Sequence, residues 1–236
     1  MALKRVWIPS PNYSSRGGSG VRLIVLHTAE GARTIESLGS FFADSGAGVS
    51  SHAGADDKPG MIGEYVKRGN KAWTQGEANP VAVSIEMCAF AAWSTSEWNQ
   101  HGWIMDNTAK WIAEEAAYYD IPIKRLSASE AQGSGRGVCQ HRDLGTWGGN
   151  HSDCGNGFPM DEVLRKAGGT DVSAPPSESA PSGGGKAPPF PGTNLSNYIE
   201  GHGTSTWQAQ MQHRGWSISV DDAYGSESER VCSSFQ

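Results

Sequence analysis

Cysteine, long apolar runs and excess basic charge are all scarce in this sequence, and each scarcity excludes something. Four cysteines, Cys88, Cys139, Cys154 and Cys232, are too few and too scattered to staple 236 residues, so a disulfide framework is excluded and a hydrophobic core must hold the fold. That usage fits synthesis in a reducing compartment. No run approaches the roughly 18 apolar residues of a membrane-crossing helix, so no membrane insertion is expected. The opening MALKRVWIPSPNYSSRGGSG contains no apolar stretch long enough for a signal peptide. Basic residues number 19 against 25 acidic ones, a net charge of -6, which argues against bulk-charge binding of nucleic acid.

What is present in quantity is tryptophan, histidine and glycine. Nine tryptophans mostly lie outside the strand-like runs; exposed, such rings offer flat apolar surfaces to sugars or peptides, and buried, they fill cores. Residues 138–159, VCQHRDLGTWGGNHSDCGNGFP, crowd two histidines, two aspartates and two cysteines among glycines. That mixture makes a poor strand and a poor helix but a good metal-holding loop. Zinc takes imidazole nitrogen, thiolate and carboxylate, and a hydrolytic site uses three protein ligands with the fourth position left to water. His141 follows a short apolar lead, as a strand end would, and the glycines after it let the chain fold back to bring Asp153 or Cys154 near. His27 ends VRLIVLH, the most strand-like run of the chain, and is the best candidate for the remaining ligand.

Read for organisation, residues 8–20 form an irregular lead-in rich in Pro, Ser and Gly, and 21–26 a buried strand. Thr34 N-caps a helix carrying Ile35, Leu38, Phe41 and Phe42 on one face. Residues 49–56 and 61–66 pair as a hairpin around the turn at 57–60. Residues 81–88, VAVSIEMC, are a second central strand in which Glu86 stands out. Asp106 caps a long helix through Tyr119, and 161–167 is a closing helix stopped by two glycines. Alternating strands and helices predict an α/β domain over 1–168. Residues 169–196, dominated by Pro, Gly, Ser and Ala, read as a linker. Over 197–236 two short helices are expected, 204–213 and one begun by a Ser226 and Glu229 capping box.

The motifs LIVLHTAE, VSSHAGAD, KAWTQG, VSIEM and QHRDL followed by SDCGNGFP come in the order and approximate spacing of the N-acetylmuramoyl-L-alanine amidases that include phage lysins, wall-recycling amidases and peptidoglycan recognition proteins. The chain resembles that family over 21–164. The resemblance implies a mixed central β-sheet flanked by helices, and hydrolysis of the amide between N-acetylmuramic acid and L-alanine by zinc-activated water. His27 and His141 fall on the family's two zinc histidines. Asp153 matches relatives reading D-P-G-x-x-F, with Cys154 in the proline's place; relatives reading C-P-G would put Cys154 on the metal. Glu86 falls on the catalytic glutamate of the recycling amidases, and His151 where relatives place a lysine or threonine that stabilises the oxyanion. His52, in a V-S-x-H pattern, and Trp73 are implied substrate contacts.

The C-terminal part resembles the first half of a three-helix peptidoglycan-binding domain, on its G-T-x-x-W-Q, R-G-W and V-D-x-x-Y-G pattern, and so reads as a truncated module. Amidase, linker and wall-binding module without a signal peptide resemble a phage endolysin. Such an enzyme would be a monomer held in the host cytoplasm until lysis, then acting on the bacterial wall. A bacterial autolysin, a peptidoglycan recognition module that does not cut, and a zinc peptidase acting within the stem peptide are the alternatives.

Overall fold

A computed structural model describes residues 3–169, 204–213, 218–221 and 223–235. The expected linker lies outside the described residues except for Gly169. So do the R-G-W segment and the Ser226 and Glu229 side chains of the expected capping box. Contacts divide the chain into two units, Met1–Ala174 and Pro175–Gln236.

In chain order the first unit contains β1 (Lys4–Trp7), β2 (Tyr13–Ser15), β3 (Leu23–Thr28), α1 (Ile35–Ala43), β4 (Ala53–Ala55), β5 (Met61–Glu64), β6 (Asn70–Ala72), β7 (Ala82–Met87), α2 (Thr95–Gln100), α3 (Gly102–Tyr119), α4 (Ala128–Gln132), β8 (Gly137–Gln140) and α5 (Met160–Lys166). Two 3-10 stretches, Gly76–Val81 and His141–Gly148, complete the frame of the site. Six strands form one sheet in the order β1-β5-β4-β7-β3-β8, and β2 pairs with β6 separately. Within the large sheet every pairing is parallel except β4 with β5, the expected hairpin.

All six residues of β3 are buried, because this strand is covered on both faces, as parallel strands generally are. Ile24 and Leu26 pack with Val83, Ile85 and the apolar stripe of α3 at Ile104, Ala109, Ile112 and Ala116. Leu23 and Val25 pack on the other face with Ala82, Leu126, Cys139 and Leu144. This two-residue alternation decides where the next side chains go. His27 continues the Leu23 and Val25 face, its register partner on β7 is Glu86, and His141 follows Cys139 by two residues. All three leave the ends of neighbouring parallel strands on one face, where open α/β sheets place their ligands.

Helix α1 begins as expected, with the Thr34 side chain accepting from Ser37 N–H in a reciprocal cap. Helix α3 begins five residues earlier than expected, at Gly102, with His101 rather than Asp106 at its cap position. Asp106 therefore lies within it and accepts an ion pair from Lys166 at 2.7 Å.

The second unit holds α6 (Thr204–His213) and α7 (Ser226–Phe235). Its core is Met211, Ile218 and Val231 with Trp207 against them. Gln208, the glutamine of the W-Q pair, is buried and donates to Asp221 Oδ1 at 2.7 Å and to the Ala223 carbonyl at 3.0 Å, and accepts from Asp221 N–H. The V-D-x-x-Y-G loop is thus tied to α6 by a side chain that its own motif supplies.

Candidate active site

The ligand loop is pinned before its chemistry begins. After β8 the 3-10 stretch turns at Gly145 and ends at Gly149, both with positive φ, and returns the chain to β8. Arg142 N–H donates to the Asp153 carbonyl at 2.9 Å, and Cys154 N–H to Gln140 Oε1 at 3.2 Å. Gly155 has φ +86°, and a β-carbon there would stand 1.9 Å from the Ala91 carbonyl oxygen; only glycine permits so close an approach.

This backbone brings His27, His141 and Asp153 together, all buried, with one donor atom from each lying within 4.8 Å of the others. His27 Nδ1 is 3.3 Å from Asp153 Oδ2, and His141 Nδ1 is 3.1 Å from Oδ1. Zinc bonds of about 2.0–2.1 Å in a tetrahedron separate donors by about 3.3 Å, so these spacings suit such an ion. The hydrogen bonding makes the fit more specific. His141 Nε2 lies 2.8 Å from the Gly148 carbonyl, which fixes the ring proton there. In the Nε2-protonated neutral ring Nδ1 then turns a lone pair toward a carboxylate oxygen, acceptor against acceptor, and a shared cation between them relieves that opposition. Burial lowers the pKa of His27 to about 4 against the opposing pull of Asp153, so its ring is neutral at pH 7, the form that binds metal. Burial pushes the Asp153 carboxyl up, but the facing His141 and His27 rings outweigh it and hold the group below the usual carboxylate range.

Cys154, the other candidate ligand, points elsewhere. It is fully buried within the cluster that packs against α3, and burial, then the negative charges of Asp153 and Glu86, holds its thiol protonated. Among the described residues the donor group is His27, His141 and Asp153.

Glu86 Oε1 stands 3.9 Å from His27 Nδ1. Burial, then the carboxylates of Asp153 and Glu30, raises its pKa to about 8. His151 stacks on His141 with ring centroids 4.2 Å apart, places Nδ1 3.8 Å from Asp153 Oδ1, and is 59% exposed. Glu86, His151 and the three donors line one cavity of about 840 Å³. Trp73 is on its wall, donating from Nε1 to Ser14 Oγ.

His52 is not brought there. Its ring is buried, with Nδ1 accepting from Ser84 N–H at 3.1 Å and Nε2 facing Arg16 and the Asn70 carbonyl. Burial and the Arg16 charge lower its pKa to about 3. So held, His52 is an internal brace that borders a separate cavity with Trp111 and Glu115. The main cavity also has lining that the sequence reading did not assign to a site: Arg33, Val49 and Phe41. Phe41, expected in the core, is 54% exposed. A signal was available, since Phe41 and Phe42 are adjacent on a helix and successive side chains diverge by about 100°.

A mostly parallel sheet whose strand ends carry His27, Glu86 and His141, with Asp153 brought to them by a loop, forms a candidate metal centre. Residues 17–156 match the family model described as N-acetylmuramoyl-L-alanine amidase, and the chain belongs to that family. Its reaction is therefore amide hydrolysis in peptidoglycan. Among solved structures, the Staphylococcus aureus hydrolase AmiA is similar at 18% identity and TM-score 0.56, over 71% of this chain and 84% of that one. The N-acetylmuramoyl-L-alanine amidase LysC from Clostridium intestinale is similar at 16% identity and TM-score 0.49, over 71% and 99%. No curated protein matches the chain.

Proposed function

We propose that this amidase is a zinc enzyme of the endolysin kind, with His27, His141 and Asp153 holding the metal, Glu86 moving the proton and His151 stabilising the oxyanion. The observation that carries this reading is the buried facing of His141 Nδ1 and the Asp153 carboxylate at 3.1 Å, with Glu86 on the same cavity. When bound, zinc supplies Lewis acidity toward the scissile carbonyl and the attacking water.

Glu86 takes a proton from that water as its oxygen bonds to the lactyl carbonyl carbon. It then returns the proton to the L-alanine nitrogen as the carbon–nitrogen bond breaks. A pKa near neutrality suits a group that must both accept and give. His151 donates a hydrogen bond to the carbonyl oxygen as charge gathers on it. Trp73 flanks the bound substrate. The bounds we propose are 1–168 for the catalytic domain, 169–196 for the linker and 197–236 for a wall-binding module. The substrate partner is bacterial peptidoglycan, reached from the host cytoplasm at lysis.

The test is digestion of purified peptidoglycan with and without a zinc chelator, scoring new amino termini against new reducing sugars. New N-terminal L-alanine, lost on chelation and restored by zinc, is the expected result. Reducing ends would mean a glycosidase, new termini within the stem peptide a peptidase, and binding without product a recognition module; each overturns the assignment.

A further inference from the structure

The two metal-facing histidines are not held alike. His141 has its remote nitrogen committed to the Gly148 carbonyl. His27 is equally buried, yet its Nε2 makes no hydrogen bond among the described residues. If Nδ1 of His27 is to present a lone pair toward Asp153, then Nε2 must carry the proton. A buried N–H left without an acceptor is costly, because it gives up its bond to water and gains none.

Gln75 is the complementary case. It is fully buried, and both polar atoms of its side chain are also without a hydrogen bond. Its backbone is fixed, with N–H donating to Asn79 Oδ1 at 2.8 Å at the start of the 3-10 stretch Gly76–Val81. The next residue, Gly76, has φ +56° and packs against the Trp147 and Gly148 backbone, the same turn that serves His141. The Gly148 carbonyl holds His141, whose ring centroid is 4.3 Å from that of His27, so this turn sets Gln75 beside the same pair of rings, as its effect on the His27 proton also indicates. Its terminal torsion is a soft sp³–sp² rotor, so a small rotation turns the carbonyl oxygen onto the ring.

We infer that Gln75 is a positioning residue for the metal centre: its Oε1 accepts the Nε2 proton of His27 and so presents Nδ1 as the ligand. The inference rests on the metal-centre reading above. It assigns to Gln75 the part that the Gly148 carbonyl plays for His141. Outer partners of this kind fix both the tautomer and the orientation of a ligating ring.

The experiment compares the full chain with Gln75→Met and Gln75→Glu. Zinc affinity is measured by competition with a chromophoric chelator, and the His27 tautomer by imidazole ¹⁵N shifts in the zinc-free protein. Gln75→Met removes the acceptor at similar volume and should weaken zinc binding about 10–100-fold. It should also move His27 away from the Nε2-protonated form, with little loss of thermal stability in the zinc-free state. Gln75→Glu keeps an acceptor and should restore both readouts. Unchanged affinity and tautomer in Gln75→Met overturn the proposal, as does an affinity loss that merely tracks a loss of folding and is not restored by Gln75→Glu. A wild-type chain that takes up no zinc overturns the metal-centre reading itself and this proposal with it, and is distinguished because the wild type alone reveals it.

Discussion

At the scale of single residues, Glu86 carries opposed demands of stability and chemistry. Burial raises its pKa from 4.5 to about 8 in the folded, metal-free protein. A carboxyl whose folded pKa is raised stabilises the fold fully below its unfolded pKa, near pH 4.5. That contribution is lost as the pH rises through about 8. Glu86→Gln, which cannot ionise, should therefore match the wild type in metal-free stability at pH 4. It should exceed the wild type at pH 9 by on the order of 3 kcal/mol, as urea denaturation at the two pH values will show. The same variant should lose about 10²–10⁴-fold in hydrolysis. A variant that is no more stable at pH 9 would mean that Glu86 is already solvated. Glu86 was legible because a charged residue in a β-rich run has few bland explanations. The third candidate donor was not, because Asp153 and Cys154 are neighbours and zinc accepts either side-chain type; only the turn's hydrogen bonds to Arg142 and Gln140 aim one inward. The placement of His52 away from the main cavity was not legible for a related reason. The partners that hold its ring, Arg16 and Ser84, stand 36 and 32 positions away, beyond the reach of any local pattern.

Elements were legible in proportion to their length and burial. The strands β3 and β7 and the helices α1 and α5 were expected near their observed bounds, because apolar periodicity and caps agree there. Strands β1, β2 and β6 have only three or four residues, are only partly buried for the most part, and carry little alternation to read. Helix α4 is five residues held by a cap on Ser127, too short for any apolar stripe. What the elements leave to connecting segments is the placement of Asp153, and Gly155 shows how tightly that is set. Gly155→Ala would place a β-carbon 1.9 Å from the Ala91 carbonyl oxygen at φ +86°, where an L side chain is already disfavoured by about 1–2 kcal/mol. The loop must move. The expected result is a stability loss of more than about 2 kcal/mol together with a zinc affinity reduced about tenfold or more. Urea titration and chelator competition read the two effects. If zinc affinity stayed intact while stability fell, the loop would have yielded on the Ala91 side, and Asp153 would not depend on this contact.

For the whole molecule, the division into Met1–Ala174 and Pro175–Gln236 assigns the three metal donors and each large core cluster to the first unit. The second unit has its own small core around Met211, Ile218 and Val231. An ion that binds only the folded form stabilises it by RT ln(1 + [L]/Kd), about 2.7 kcal/mol at a hundredfold excess over Kd. Zinc bound by His27, His141 and Asp153 should therefore raise the transition of the first unit and leave any transition of the second where it was. A fragment ending at Ala174 should show the same zinc-dependent rise as the full chain, because every donor and every residue that aims the donors is retained. Calorimetry of both proteins, with zinc and with chelator, makes the comparison. Equal shifts would establish that the metal centre and its scaffold are complete within the first unit. A fragment that folds but no longer responds to zinc would mean that residues beyond Ala174 help form the site, and would move the search for the missing contribution to the second unit.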